Sequence, residues 1–511
     1  MRRLALALSL LPLLAQAQTA QGYVYEDANK NNKKDANERG IRGVRVSDQR
    51  QITTTDASGK WTLPASNDAI YFVIKPRGYK TKMGEHNLPH FYYIHKPNGS
   101  PTGTKYEGVK PTGPLPTSID FPLYKQEEPT KFKAVMFADP QPRDVREVEY
   151  VTHDVVEKLI GTDAAFGVTL GDIAFDNLET FGPQNAAIGL IGIPWYNVIG
   201  NHDINLDSPD DHHSDETFNR VFGPAYYSFD YGPTHFIVLD DVEFLGAGKG
   251  YRGGLGAEQM QWIKNDIALV PKNQLVVLMM HIPLVNVADR QDLYRLIETR
   301  PNVISISGHT HYQEHIFIGE KDGWKGIKPH HHTVNVTVSG SWWQGSPNEL
   351  GIPHTTMRDG APNGYSVFTF DGTKYSIEFR AAGSPDDHQM NIYAPEEVSR
   401  EGASEVTVTV NVFGGSEKSV VEVRLNDGAW VKMDKVLKPD PKYAEAVARD
   451  AQLQRPFRPL PAPMQSPHLW EVPLDRLFGG QRPYWGSHTI EVRETDMFGK
   501  VHTSQRIIRL T

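Results

Sequence analysis

Apolar and polar positions fall into three regimes along the chain. Within residues 18–125 short β-type runs alternate with turn residues, at 22–25, 44–46, 51–55, 61–63 and 70–74. That spacing predicts a small N-terminal β-sandwich. After a polar, Pro-containing linker at 126–130 the runs become continuously apolar and β-branched, at 133–137, 166–170, 195–199, 236–239, 275–280 and 303–306. Between them, 145–160, 257–269 and 291–299 carry apolar residues at a spacing near 3.6, the pattern of helices covering a sheet buried on both faces. Residues 131–382 therefore read as a layered α/β domain, its sheet continued by 333–339 and 365–370 without intervening helices. A polar stretch at 383–404 reads as a second linker. From 405 to 511 alternation returns, at 406–412, 420–425, 488–492 and 506–510. This predicts a C-terminal β-sandwich, interrupted by a Pro-rich insertion at 438–467 with a short helix at 443–453.

Length and composition agree with several domains: 511 residues exceed one core, and 39% hydrophobic with 23% charged residues is ordinary for a globular chain. Met1-Arg-Arg, the apolar run 4–14 and Ala15-Gln-Ala17 have the parts of a secretory signal peptide over 1–17. Export to the periplasm or beyond is expected, with the mature chain starting near Gln18. The apolar run is shorter than the ~20 residues of a spanning helix, so no transmembrane segment is expected in the mature chain. There is no cysteine, which excludes thiolate chemistry and leaves His, Asp, Glu, Asn and Gln to bind any metal. Loss of Arg2 and Arg3 would move the formal charge from −9 to −11, which argues against a nucleic-acid polymer as partner.

Five polar clusters close or follow the β-rich segments: Asp139-Pro-Gln141, Gly171-Asp172, Gly200-Asn201-His202-Asp203, His281 and Gly308-His309-Thr-His311. Ligands of open α/β sheets bind beyond strand ends. Two divalent ions ~3.5–4 Å apart can orient a phosphate and turn a bridging water into hydroxide. Holding them takes neutral imidazoles, carbonyl oxygens and a bridging carboxylate, which this set contains.

In this order the clusters resemble the calcineurin-like metallophosphoesterase family over 139–311. The resemblance implies that Asp139, Gln141 and His311 bind a first ion, that Asp172 bridges, and that Asn201, His281 and His309 complete the second. His202 would be general acid or transition-state stabiliser, with Asp203 orienting it. It further implies metal-bound hydroxide, two ions of Mn, Fe or Zn, and hydrolysis of a phosphomonoester or phosphodiester. The substrate would be a phosphorylated small molecule or a glycan-linked phosphate. Two departures modify this. Gln141 stands where many members have His, which favours harder ions such as Mn²⁺ or Fe²⁺. Residues 171–177 lack the Arg that clamps phosphate in the Ser/Thr protein phosphatase branch. A carbohydrate- or surface-binding exported protein with an inactive phosphoesterase-like domain is the alternative from another functional class.

Outside these clusters, Asp27, Asn29, Asn31, Asp35 and Glu38 occupy positions 1, 3, 5, 9 and 12 of a twelve-residue loop, the side-chain positions of an EF-type Ca²⁺ site. Asn32 replaces the usual Gly, and Asn is the next best residue in left-handed backbone. A polar surface turn is the alternative. The surrounding stretches 41–46 and 54–63 resemble transthyretin-like β-modules of secreted bacterial proteins, whose role is structural. Trp342 and Trp343 are expected either to wall a sugar or base or to pack a domain interface. Arg358 is a candidate phosphate contact. His212-His213 and His330-His331-His332 are expected at the surface.

Overall fold

A computed structural model describes residues 19–399, 401–454, 457–480 and 484–511. The expected signal peptide at 1–17 lies outside the described residues. The N-terminal module is a β-sandwich of a five-stranded and a four-stranded sheet. Trp61 fills its middle, with ring centroids 5.8 Å from Tyr71 and 5.9 Å from Phe121. Its core runs on into the central domain: Phe91 meets Tyr227 at 4.9 Å, and Arg45 bridges Asp230 and Asp266.

The central domain has two sheets, not one continued sheet. In the first, Trp195–Val198, Phe166–Leu170 and Lys131–Phe137 run parallel, and Gly364–Asp371 and Lys374–Ala381 extend it antiparallel. In the second, Thr234–Val238, Leu275–Met279, Val303–Ser307 and His330–Val334 are parallel neighbours, flanked by antiparallel Tyr227–Tyr231 and Glu314–Ile318. Residues 335–339 cross between them, and Val338 N–H and Ser339 N–H donate to the carbonyls of Ala138 and Asp139. The expected helices are present as Val145–Val151, continued through a π turn to Leu159, and as Gly256–Ala268 and Arg290–Ile297. Asp144 caps the first by accepting from Glu147 N–H.

Two further expectations are corrected. His330, His331 and His332 are buried on an inner strand. Burial is tolerated because Ser305 Oγ bonds His330 Nε2 and His332 Nδ1, each at 2.7 Å, and Tyr375 Oη bonds His331 Nδ1 at 2.8 Å. The stretch 383–404 is not merely a linker. Met390–Tyr393 pairs with Thr407–Val412 and Glu397–Val398 pairs with Val501–Leu510, so both belong to the Val-rich C-terminal sandwich. They are too short and polar to show alternation. The insertion carries the helix Pro441–Gln452, and its Asp450 and Arg458 carbonyl bond Ser346 and Gly345 beside the central domain's last loop. His212 and His213 are exposed or half-buried, bonded to Asp68 and Asp210. Among the described residues no helix is long and apolar enough to cross a membrane.

Candidate metal centre

The five polar clusters meet at the carboxyl ends of the parallel strands of both sheets. Lys131–Phe137 leads to Asp139 and Gln141, Phe166–Leu170 to Asp172, and Trp195–Val198 to Asn201 and His202. From the second sheet, Leu275–Met279 leads to His281, and Val303–Ser307 to His309 and His311. Five of these residues have left-handed backbone: Asp139 (φ 47°), Gln141 (41°), Asp172 (50°), His309 (76°) and His311 (55°). Each such conformation costs roughly 1–3 kcal/mol and persists where the surroundings over-determine it, commonly at functional sites. Glycine lets the two sheets close in, because a Cβ on Gly308 would sit 2.5 Å from Asp139 Oδ2.

Asp172 lies in the middle. Its Oδ2 accepts from Gln141 Nε2, and its Oδ1 accepts from His202 N–H at 2.9 Å and lies 3.3 Å from His281 Nε2. His281 Nε2 is also 3.0 Å from Asn201 Oδ1 and 3.1 Å from His309 Nδ1. Asp172, His281 and His309 bring one ligand atom each within 4.8 Å of one another, the one such group among the described residues. On the other side both Asp139 oxygens accept from His309 N–H, at 3.0 and 2.9 Å, and Oδ1 lies 3.7 Å from His311 Nε2. The Nδ1–H groups of His281 and His311 donate to the carbonyls of Leu170 (2.9 Å) and Gly340 (2.6 Å). That orients both rings with Nε2 turned inward, on His311 as a free lone pair. Gln141 Oε1 and His311 Nε2 are buried without a partner. Lone pairs converging in a buried site call for a cation, so the donor set fits divalent metals.

The electrostatics divide the site. Burial pushes the Asp139 carboxyl up to about 8 despite His281. Asp172 is equally buried, yet His281 and His202 hold it below the carboxylate range. Burial disfavours charge on His281, but Asp172 and Asp139 outweigh it and raise the pKa to about 10, so without a cation Nε2 carries a proton that a metal would have to displace. Burial drives His309 to about 4 and His311 to about 3, keeping both imidazoles neutral and able to ligate.

His202 stands at the rim. Burial lowers its pKa less than Asp172 and Asp176 raise it, giving about 8. Its Nδ1 bonds Asp176 Oδ1 at 2.6 Å, so the expectation that Asp203 orients it is corrected. Asp203 is fully buried and instead accepts three backbone N–H groups, from Ile173 (3.1 Å), Ala174 (2.9 Å) and Gly200 (2.9 Å), tying two ligand loops together. Arg358 is corrected as a phosphate contact: its Nε donates to the Ala462 carbonyl at 3.0 Å, in the C-terminal insertion. The tryptophans divide. Trp343 is buried, donates to the Pro140 carbonyl at 2.8 Å and packs on Tyr150, whereas half-buried Trp342 stacks on His311 at 4.1 Å. Only Trp342 adjoins the site.

Other residues completing the site escaped the sequence. Asp241 Oδ1 accepts from the N–H groups of His281 (3.1 Å) and Ile282 (3.0 Å). An acid pair, Asp240-Asp241, follows the apolar run 236–239, but nothing local marks which of the two turns to His281. Arg143 lies over Phe175 at 4.2 Å, Phe175 stacks on His202 at 4.3 Å, and Tyr251 meets His309 edge-on at 6.1 Å. In the loop 27–38, Asn32 has φ 61° as expected. There Asp27 accepts from Asn31 and Asn32 N–H, Glu38 accepts from Ala28 and Asp35 N–H, and the amides of Asn29 and Asn31 donate to Asp35.

Three family descriptions match in chain order. The N-terminal segment of calcineurin-like phosphoesterases matches 28–111, calcineurin-like phosphoesterase itself 152–313, and the C-terminal segment 332–502. The central match begins after Asp139 and Gln141, which enter the site on geometry. No curated protein matches the chain. Solved structures similar to it include a dimetal phosphatase from Danio rerio, at 13% identity and TM-score 0.36 over 49% of this chain and 96% of that one. Purple acid phosphatase PPD1 from yellow lupin (Lupinus luteus) seeds is similar at 15% and 0.36, over 66% of each. PhoD is similar at 10% and 0.37, over 78% of this chain and 84% of its own. At such identities and scores the three segment matches carry the assignment: the chain belongs to the calcineurin-like phosphoesterases and has the family's N- and C-terminal segments on either side of its α/β domain.

Proposed function

We propose that this chain hydrolyses phosphate esters with two divalent ions, one held by Asp139, Gln141 and His311, the other by Asn201, His281 and His309, with Asp172 shared. The observation that carries this reading is the buried convergence of inward-facing lone pairs around Asp172, two of them without a protein partner. When bound, such a pair supplies an activated water and positive charge facing the ester oxygens. His202, with Nδ1 turned to Asp176, keeps Nε2 to hold a proton for the departing oxygen. Phe175, Trp342 and Tyr251 set aromatic rings against His202, His311 and His309, which suits a small phosphorylated molecule or a sugar-linked phosphate. Gln141 in place of an imidazole favours Mn²⁺ or Fe²⁺ over Zn²⁺. Export is proposed on the leader-like segment 1–17, and Ca²⁺ at residues 27–38 on the spacing of its oxygens.

One experiment tests the core of this. Protein recovered from an exporting host is weighed intact, analysed for metal, and assayed on p-nitrophenyl phosphate and its bis-ester beside Asp172→Ala. Expected are a mass starting near Gln18, about two ions per chain, and turnover of one ester that Asp172→Ala lowers at least ~100-fold. A metal-free wild type with no turnover above the variant would sink the enzyme reading.

A further inference from the structure

Asp176 needs holding. Its backbone is left-handed (φ 58°), which a non-glycine residue keeps only under constraint, and its side chain is 41% exposed. Its N–H donates to the His202 carbonyl at 3.2 Å, and its carboxylate bonds His202 Nδ1. Its own carbonyl is held from another domain, because Tyr106 Oη of the N-terminal module donates to it at 3.0 Å. The same hydroxyl lies 3.3 Å from Asn177 Oδ1, and Asn177 Nδ2 donates to the Arg143 carbonyl at 3.0 Å. One phenol therefore touches the segment joining the loops of Asp172 and of Gln141.

Tyr106 is itself fixed to the central domain. The Lys105 N–H donates to Asp207 at 2.6 Å, and Asn205 Nδ2 reaches the Tyr106 carbonyl at 3.4 Å. The Glu107 carbonyl accepts from Thr217 Oγ1 at 3.1 Å and Arg220 Nε at 2.9 Å. The ring packs against the apolar cluster containing Ile173, Ala174, Ile199 and Ile204, residues flanking Asp172 and Asn201–Asp203. Bonds on both sides of the phenol leave it little freedom, so a rigid donor meets a strained acceptor.

We propose that Tyr106 is a positioning residue for the leaving-group acid: the N-terminal module fixes Asp176, and through it the ring of His202. The module is thereby a working part of the active site and not only a scaffold. This inference rests on the reading of His202 as proton donor.

The test compares wild type, Tyr106→Phe and His202→Asn on p-nitrophenyl and phenyl esters of whichever class, mono- or diester, the wild type cleaves. p-Nitrophenolate departs without help, whereas phenolate needs a proton. Tyr106→Phe is expected to keep metal content, melting temperature, KM and p-nitrophenyl turnover, and to lower kcat on the phenyl ester about 10-fold. His202→Asn should show the same selectivity more strongly. A second readout is the ¹⁵N signal of the neutral His202 ring in metal-free protein, assigned by its absence in His202→Asn. It should report one Nδ1–H tautomer in wild type and a shift towards a mixture in Tyr106→Phe. Equal loss on both esters with a lower melting temperature would reduce Tyr106 to scaffold. An unchanged phenyl rate with an unchanged ring signal would overturn the proposal outright. If His202→Asn shows no leaving-group selectivity, or wild type turns over neither ester, the proton-donor reading fails instead, and an unshifted ring signal then removes the Tyr106 contact as well.

Discussion

Two carboxylates compete for the part of partner to His202, and their contacts separate them. Asp176 bonds the imidazole, and Asp203 bonds only backbone N–H groups. An Asn at 203 would turn an NH₂ towards donors it cannot accept from, at a cost of about 1–3 kcal/mol. Asp203→Asn is therefore expected to lower the urea midpoint and metal content, while Asp176→Asn keeps both and loses turnover on esters with poor leaving groups. Steady-state kinetics beside urea melts check this, and an Asp203→Asn variant that melts like wild type would reverse the roles. The seven ligand candidates were readable because each sits in a short motif directly beyond an apolar run. Asp176, Asp241 and Tyr106 were not, because a hydrogen bond to a residue 26, 40 or 70 positions away leaves no local pattern. Asp203 was misread for a related reason: adjacency to His202 in sequence says nothing of where a buried carboxylate finds its donors.

Among the elements, the strand His330–Val334 departs furthest from its sequence. Three consecutive histidines resemble a solvated turn, and hydroxyls of Ser305 and Ser307 for His330 and His332, and of Tyr375 for His331, make their burial tolerable. Continuous apolar strands such as Leu275–Met279 needed no such partner and were plain in the pattern. The strand carries a pH consequence. Burial lowers His330 and His332 to about 3 and, across the pair, His315 to about 4. Unfolded, each takes up a proton near ~6.5. Between pH 6.5 and about 4 these three imidazoles bind more protons unfolded than folded, so their contribution to stability is complete above 6.5 and is lost on acidification. In the urea midpoint between pH 7 and 5 this loss runs against an opposite slope from buried carboxyls such as Asp215 and Glu494, which burial raises to about 7. His330→Gln should reduce the histidine slope by close to one proton, ~1.4 kcal/mol per pH unit. An unaltered slope would mean that His330 is not held neutral.

For the whole molecule, the flanking domains cannot be detached as ornaments. The N-terminal core is continuous with the central one, and the C-terminal insertion braces the loop that carries Trp342. Three domains and their order were readable from changes in hydrophobic period, whereas their fusion was not, since interface residues such as Phe91 and Trp262 look like any core aromatic. If residues 27–38 bind Ca²⁺, that site lies in the same fused body, and a chelator should lower the melting temperature of wild type by about 5 °C but leave Asp27→Ala unmoved. An insensitive wild type would leave the loop a polar turn closed by its own hydrogen bonds. The seam between the two central sheets has a last consequence. Each proposed ion takes ligands from both sides of it, joining residues 80 to 172 positions apart. No partial chain ending before His311 holds the complete set, so on that reading both ions would be bound only after the two sheets have met. Their identity would then be decided by the metal supply of the compartment in which Asp139 and His311 first meet, as much as by the ligands themselves.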